Sequence, residues 1–133
     1  MSAFHLQIVT LDGLSFDGEA EKLIVRTVDG EVCILPRHIS FVTALGMGEA
    51  KVWIGGQTRR AACIGGMLSV NDDVVRLAPT TFEWAEDIDV ARAERAKKAA
   101  EEALANRAGK SDQELRIAEA RLKRALVRTG VSR

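Results

Sequence analysis

A turn, a short strand and a stop for that strand fall within ten residues, Asp29-Gly30-Glu31-Val32-Cys33-Ile34-Leu35-Pro36-Arg37-His38. Asp29-Gly30 follows the alternating Leu23 to Val28 and predicts a hairpin, because glycine adopts positive φ at little steric cost. Proline has no N–H to donate to a neighbouring strand, so Val32 to Leu35 should be a short strand that ends before Pro36. The stretch therefore predicts a rigid corner of antiparallel sheet, without a catalytic role.

Period-two alternation continues before this corner. Phe4 to Val9 predicts a strand with Phe4, Leu6 and Ile8 on one face, and Asp12-Gly13 should turn it. Phe16 to Ala20 reads as a second turn region that leads into the strand Lys22 to Val28. No helical period interrupts this pattern.

The same rhythm continues after the corner as far as Pro79, which we expect to end the series. The predicted elements are a strand Ile39 to Leu45, a break at Gly46-Met47-Gly48, a strand around Ala50 to Ile54, a turn at Gly55-Gly56, a returning strand Thr58 to Ile64, and a hairpin of Met67 to Val70 and Val74 to Ala78 around Asn71-Asp72-Asp73. Eight or nine short strands with glycine-rich turns predict an antiparallel β-sandwich or flattened barrel.

Gly65-Gly66 has two interpretations. The pair could open a phosphate-binding loop, but no G-K-[ST] sequence and no helix start follow it. The alternative is a bulge or a close approach of two backbones, which also requires glycine.

The composition changes near residue 85. Nine of the eleven glycines precede residue 85, whereas eleven alanines lie between Ala91 and Ala125. We therefore predict an α+β protein, with a β-sandwich domain at residues 1–85 and a helical domain at residues 86–133.

Two helices are predicted in the second domain. Asp87 or Asp89 can cap the first, which should end between Asn106 and Gly109. The capping-box sequence Ser111-Asp112-Gln113-Glu114 should start the second, and so short a loop predicts an antiparallel hairpin. The expected seam consists mostly of alanine, whose methyl group buries little area. The hairpin is thus either a switch that can come apart or a permanently folded tail.

Charge and cysteine content limit the classes of partner. Residues 1–84 carry seven Lys/Arg against ten Asp/Glu, a net charge of −3, and residues 85–133 carry twelve against nine, a net charge of +3. The modest basic excess suits an acidic protein partner or a polyphosphate, and no nucleic acid is expected. Cys33 and Cys63, without a C-x-x-C spacing, predict reduced thiols in a cytosolic protein. No segment approaches the length of about 20 apolar residues that spans a bilayer, so membrane association should occur only through partners.

Residues suited to catalysis are scarce. His5 and His38 are the only histidines, and neither has a metal-ligand spacing. No serine or cysteine lies in a nucleophile-elbow motif, and Asp72-Asp73 falls in a solvated turn. We therefore expect no metal site, no catalytic residues and no enzyme activity from the chain alone.

Together, Phe16-Asp17-Gly18, the Asp29 to His38 corner, Ile39 to Leu45 and Gly65-Gly66 resemble the N-terminal domain of the epsilon subunit of bacterial ATP synthase. Two residues depart from the pattern, since Cys33 and Arg37 stand where members of that family usually have glycine. The resemblance implies a non-catalytic rotor subunit in the central stalk, in contact with the gamma subunit and the c-ring. It also implies helices that inhibit ATP hydrolysis at the alpha and beta subunits, and a peripheral location on the cytoplasmic side of the inner (plasma) membrane.

Ile88-Asp89-Val90-Ala91-Arg92-Ala93 resembles the I/L-D-x-x-R-A motif by which some bacterial epsilon subunits bind ATP as a regulatory ligand. Asp89 and Arg92 are three residues apart and would share a helix face, which places an acceptor for the base or ribose beside a cation for phosphate. The resemblance extends the candidate ATP site to seven residues: Glu83, Ile88, Asp89, Arg92, Ala93, Arg124 and Arg128. Ile117 stands where a strong ATP binder would have a basic residue. The alternative is that Asp89 is only a helix cap and Arg92 its solvated neighbour.

Two further hypotheses remain at this point. The chain could act primarily as an ATP sensor whose hairpin closes on the nucleotide, which is compatible with the rotor role. It could instead be a free-standing scaffold with a helical dimerisation tail, although heptads sustained over about two turns make a stable coiled coil a poor expectation.

Overall fold

The computed structural model describes residues 2–132, which form ten strands followed by two helices. The strands are β1 Phe4–Thr10, β2 Gly13–Ala20, β3 Lys22–Thr27, β4 Gly30–Ile34, β5 Phe41–Ala44, β6 Met47–Ile54, β7 Gln57–Ile64, β8 Met67–Asn71, β9 Val74–Ala78 and β10 Thr81–Trp84. A short 3₁₀ turn, Ala85–Asp87, precedes the helices α1 Val90–Ala105 and α2 Asp112–Val131. The chain divides between Trp84 and Ala85 into two compact units.

The strands form two five-stranded sheets. The first sheet has the order β2-β1-β9-β8-β5, and the second has the order β10-β7-β6-β3-β4. All neighbouring strands are antiparallel except β1 and β9, which run parallel. The predicted fold class, a β-sandwich followed by a two-helix hairpin, is confirmed.

The core lies between the two sheets and takes alternate residues from their strands. Phe4, Leu6 and Ile8 of β1 are at most 2% exposed, as the alternation predicted. Leu23, Val25 and Val52 of the second sheet face them and are fully buried. Each such side chain contributes about 1.5–3 kcal/mol by leaving water, so the sandwich has a conventional apolar core.

The corner near residue 30 forms as the sequence predicted. Thr27 pairs with Gly30 across the turn, and Gly30 has φ 118°. The Thr27 hydroxyl donates a hydrogen bond to the Gly30 carbonyl at 2.7 Å and accepts one from the Asp29 N–H at 3.1 Å. β4 ends at Ile34, two residues before Pro36.

The residues that depart from the family pattern have different backbone conformations. Arg37 adopts the left-handed conformation with φ 64°, and its N–H donates to the Asp73 carboxylate at 2.6 Å. A residue with a side chain costs about 1–2 kcal/mol in this conformation, and the hydrogen bond offsets part of that cost. Cys33 lies in β4 opposite Ile24 and has no positive φ.

Two segments predicted as a turn or a break lie within strands. Phe16 to Ala20, predicted as a turn, belongs to β2 and pairs with β1 along its whole length. Gly18 makes no turn; a Cβ there would lie 3.2 Å from the Phe16 ring, so the missing side chain leaves room for the ring. Similarly, β6 begins at Met47 and contains Gly48. A Cβ at Gly48 would lie 2.9 Å from Cβ of Arg26, so the glycine leaves room for the Arg26 side chain.

Pro79 does not end the strand series, because β10 follows it and pairs with β7 at the edge of the second sheet. Trp84, the last residue of β10, is 7% exposed. The Arg59 guanidinium lies 3.7 Å from the centroid of its ring, and Phe82 contacts it edge to face. These contacts of an aromatic anchor hold the edge strand in place up to its final residue.

The Gly65-Gly66 pair is a close approach of two backbone segments. Both residues have positive φ, and a Cβ on Gly66 would lie 2.1 Å from the Ala78 carbonyl oxygen. The chain continues directly into β8, not into a helix. The backbone interpretation is therefore confirmed, and the phosphate-loop interpretation is wrong.

We predict that Gly66→Ala strongly destabilises the sandwich, because it adds a backbone clash to an unfavourable φ. Gly56→Ala is the matched control: Gly56 has φ 80°, but a Cβ there meets no atom within 4 Å. The control should cost only about 1–2 kcal/mol, and Gly66→Ala clearly more. Urea unfolding compares the two, and equal losses would contradict the role of close approach.

Hydrogen bonds define the ends of the helices. Asp89 is the N-cap of α1, and Ser111 caps α2 by accepting from the Glu114 N–H at 3.1 Å. Asn106 ends α1, and Lys110 Nζ donates to the carbonyl of Ala103 at 2.6 Å, which satisfies one acceptor of the last turn. Within the described residues, neither helix carries an apolar run that could cross a bilayer.

Candidate nucleotide-binding groove

The seam of the hairpin is built from small side chains. Ala93 and Ala100 of α1 and Ala118, Ala125 and Thr129 of α2 are buried. Leu115 and Leu122 are only half-buried, and Leu126 is 47% exposed. Because an alanine methyl group removes little area from water, the two helices are held together by a shallow interface.

A groove of about 220 Å³ lies along one side of this seam. Its floor consists of alanines and its rim of arginines from α2. The lining residues are Ala96, Ala99, Ala100, Ala103, Ala118, Arg121, Arg124 and Arg128. The small floor leaves the space open, and the arginines make its rim strongly positive.

The three arginines share one face of α2, because their spacing of three and four residues matches the helical repeat. Like charges at such spacings repel by about 0.2–0.5 kcal/mol per pair. In the part of the chain that the structure describes, Arg121 and Arg124 form no ion pair with an acidic side chain. The groove is therefore suited to an anionic ligand.

Asp89 lies at the open end of the hairpin, opposite the loop that joins the helices. Its carboxylate accepts a hydrogen bond from the Arg92 N–H at 3.1 Å, so the helix-cap interpretation is correct for this residue. A carboxylate has acceptor capacity for further bonds. Capping therefore does not prevent Asp89 from also contacting a ligand.

The other motif residues occupy different environments. Ile88 and Ala93 are buried, at 7% and 4% exposure, so their side chains pack against other residues and are not open to solvent. Arg92 is exposed. It precedes Ala96 by four residues and Ala99 by seven, so it lies on the face of α1 that forms the groove floor. Arg92 thus extends the line of the groove toward its open end.

The antiparallel arrangement brings most of the predicted site together. The start of α1 lies beside the end of α2, which places Asp89 and Arg92 at the same end as Arg124 and Arg128. Glu83 belongs to β10 of the sandwich unit, where it is paired with Ala62. Ile117, the departure from the expected basic pattern, is 44% exposed and does not line the groove.

Arg121 was not predicted as a site residue, although it lines the groove. The available signal was its spacing, since Arg121, Arg124 and Arg128 follow the i, i+3, i+7 pattern of one helix face. The family resemblance implied only Arg124 and Arg128 on this helix.

The groove can bind an anion, but its lining offers no carboxylate, histidine or thiol for acid–base chemistry. Among the described residues, no group of three His, Cys, Asp or Glu side chains could hold a metal ion. Both cysteines are free thiols, and burial raises the pKa of Cys63 to about 12, which keeps it protonated at neutral pH. This arrangement is suited to binding a ligand.

Comparison with family models gives two matches that together cover nearly the whole chain. Residues 3–85 match the beta-sandwich domain of the ATP synthase delta/epsilon chain, and residues 86–132 match its long alpha-helix domain. The chain belongs to the ATP synthase delta/epsilon family.

Three bacterial members of this family, each named ATP synthase epsilon chain, show the extent of the similarity. The protein from Ruminococcus albus is 39% identical over 99% of this chain and 98% of its own length. That from Caldanaerobacter subterraneus is 40% identical over 97% and 93%, and that from Alkaliphilus metalliredigens is 45% identical over 77% of each. The resemblance to the bacterial epsilon subunit is confirmed.

Solved structures of ATP synthases contain chains with a similar fold. A chain of the Euglena gracilis mitochondrial ATP synthase has a TM-score of 0.79 and 25% identity, over 92% of this chain and 77% of its own. A chain from the central stalk and c-ring structure of the Tetrahymena thermophila mitochondrial ATP synthase has a TM-score of 0.68. At 10% identity, over 97% of this chain and 96% of its own, the second match shows a common fold. This chain is thus an epsilon-type subunit of ATP synthase, similar in structure to central-stalk subunits.

We predict that Asp89→Ala lowers the stability of the hairpin by about 1 kcal/mol, because the Arg92 N–H loses its acceptor. Asp89→Asn keeps an acceptor at the cap and should cost less. Unfolding followed by circular dichroism at the helical band measures both variants. If Asn destabilises as much as Ala, the charge near the helix start, and not the hydrogen bond, is the stabilising interaction.

Proposed function

We propose that this chain is a non-catalytic rotor subunit that couples the catalytic sector of ATP synthase to its membrane ring. The observation that carries the proposal is the match of both units, over nearly the full length, to epsilon chains. The proposed partners are the gamma subunit, the c-ring and the alpha and beta subunits. The chain would then be peripheral, held at the cytoplasmic side of the inner (plasma) membrane by these partners.

An apolar row on the outer face of the first sheet supports attachment through the sandwich. The row crosses all five strands and consists of Leu14, Val9, Ala78, Met67 and Ala44. Val9 pairs with Leu14, and Met67 pairs with both Ala78 and Ala44. Leu14 is 58% exposed and Met67 46%. A contiguous apolar surface of this kind is typical of protein interfaces.

We predict that Met67→Glu weakens incorporation of the subunit into the ATP synthase, because it buries a charge at the centre of the row. Val74→Glu is the matched control, since Val74 is 39% exposed on the same sheet face but at the other end of β9. Co-purification with the gamma, alpha and beta subunits measures incorporation. Equal incorporation of both variants would show that the interface lies outside the apolar row.

The helical unit is proposed to oppose ATP hydrolysis. Its net charge of +3 suits an acidic surface on the catalytic subunits, and its alanine seam allows the two helices to separate at low cost. The extended conformation would inhibit hydrolysis and the closed conformation would not. The balance between them would then depend on a small difference in free energy.

Removal of residues 88–133 should leave assembly and ATP synthesis largely intact, because attachment is assigned to the sandwich. Hydrolysis by the assembled complex should rise or stay unchanged. The measurement is ATP hydrolysis and ATP-driven proton pumping in membranes with the full-length and shortened chains. Loss of coupling in the shortened chain would reverse the assignment of roles to the two units.

ATP is proposed as a regulatory ligand of the hairpin, favoured by the arginine-lined groove and the Asp89/Arg92 motif beside it. Within the hairpin, Asp89, Arg92, Arg124 and Arg128 form the proposed site, in which the arginines bind phosphates and Asp89 accepts from the base or ribose. A ligand that binds only the closed hairpin stabilises it in proportion to ligand occupancy. ATP would therefore favour the state that does not inhibit.

Arg92→Gln should weaken ATP binding about ten- to a hundredfold, since one charge-assisted contact is worth roughly 1.5–3 kcal/mol. Arg95→Gln is the control on the same helix, because it removes an exposed arginine that lies with Glu94, Lys98 and Glu101 on another side of α1. Titration calorimetry of the full chain with ATP gives the affinities. Absence of heat and of thermal stabilisation in the wild type would leave Asp89 and Arg92 with only their capping roles.

A further inference from the structure

The three arginines of the groove occupy different positions along the hairpin. Because α1 and α2 are antiparallel, Arg128 lies nearest the open end, Arg124 follows, and Arg121 lies nearest the loop. At 1.5 Å per residue, Arg121 and Arg128 are separated by about 10 Å along the helix axis. The rim therefore offers a row of guanidinium groups, which suits a chain of phosphates better than a single one.

The position of Asp89 determines the orientation in which a nucleotide would lie along this row of arginines. Its carboxylate lies at the open end, and it is the proposed acceptor for the amino group of the base or for the ribose. A nucleotide with its base there extends its phosphates along the groove toward the loop. The first phosphates then reach Arg92, Arg128 and Arg124, and the last reaches Arg121.

The surroundings of Arg121 fit this role. All the α1 residues that line the groove with Arg121 are alanines, so its floor is clear of larger side chains. Arg121 is exposed and, within the described chain, has no acidic side chain as a partner. Its guanidinium can therefore turn toward a ligand without breaking an existing ion pair.

We propose that Arg121 contacts the terminal phosphate of a nucleoside triphosphate and thereby makes the groove discriminate triphosphates from diphosphates. The inference rests on the proposed ATP site and adds to it a specificity-determining residue outside the sequence motif. A diphosphate ends before Arg121 and gains nothing from it.

The test is calorimetric titration of the full-length chain with ATP and, separately, with ADP. The variants are Arg121→Gln and the matched control Arg116→Gln, which removes an exposed α2 arginine that does not line the groove. Arg121→Gln should lower the ATP affinity about tenfold and change the ADP affinity less than twofold. Arg116→Gln should leave the ratio of the two affinities as in the wild type. Thermal unfolding of each variant without nucleotide checks that the hairpin still folds.

Three outcomes would overturn the inference. Equal losses for ATP and ADP would place Arg121 beside an inner phosphate or assign it a general electrostatic effect. Unchanged ATP affinity in Arg121→Gln, with binding in the wild type, would remove Arg121 from the site and leave the proposed ATP site intact. Absence of binding of either nucleotide to the wild type would overturn the ATP site itself.

Discussion

Leu6, Ile8, Leu23 and Val52 lose all contact with water between the two sheets, and the rest of the molecule depends on this burial. No strand contributes more than two side chains that are fully buried, so no hairpin would be stable alone. Held between two sheets, the strands can tolerate local conformations that cost free energy, such as the left-handed Arg37 and the tight passage of Gly66 past Ala78. The two sheets therefore form one packed body, which suits the attachment to partner subunits proposed for it.

The helical hairpin, unlike the sandwich, is packed through small side chains. Its buried positions are mostly alanine, and the same small side chains that weaken the seam also leave the groove open. Replacement of the floor alanines by leucine would strengthen the hairpin and fill the proposed ligand space. The weak packing and the open groove therefore both follow from the same small residues. A bound anion would supply the cohesion that the seam lacks.

Most of the fold could be predicted from periodicity and turn residues, because both reflect local chemistry. The alternation of Phe4, Leu6 and Ile8, the Asp29-Gly30 turn and the Ser111 cap act within a few residues. The errors came where a distant contact decided the outcome. Phe16 to Ala20 contains an Asp-Gly pair, yet β1 holds it extended, and Thr81 to Trp84 becomes a strand only because β7 offers an edge and Arg59 covers Trp84.

The candidate site shows the same division. Asp89 and Arg92 could be identified because they lie in one short motif, and Arg124 and Arg128 only through the resemblance to the family. Arg121 required the packing of α2 against α1, since only the groove distinguishes it from the exposed arginines at other positions of that helix. Glu83 shows the converse, for its place in β10 follows from sheet pairing and not from the motif.

The parallel pairing of β1 with β9 affects how the protein is made. β1 lies between β2 and β9, so it can pair with β2 soon after synthesis but meets its second partner only about seventy residues later. Such non-local contacts slow folding, and they keep the first sheet incomplete until Ala78 has emerged. The helices lie entirely beyond that point in the chain. During synthesis the sandwich can therefore close while the helical segment is still being translated, and the weakly packed hairpin need not compete with it for apolar surface.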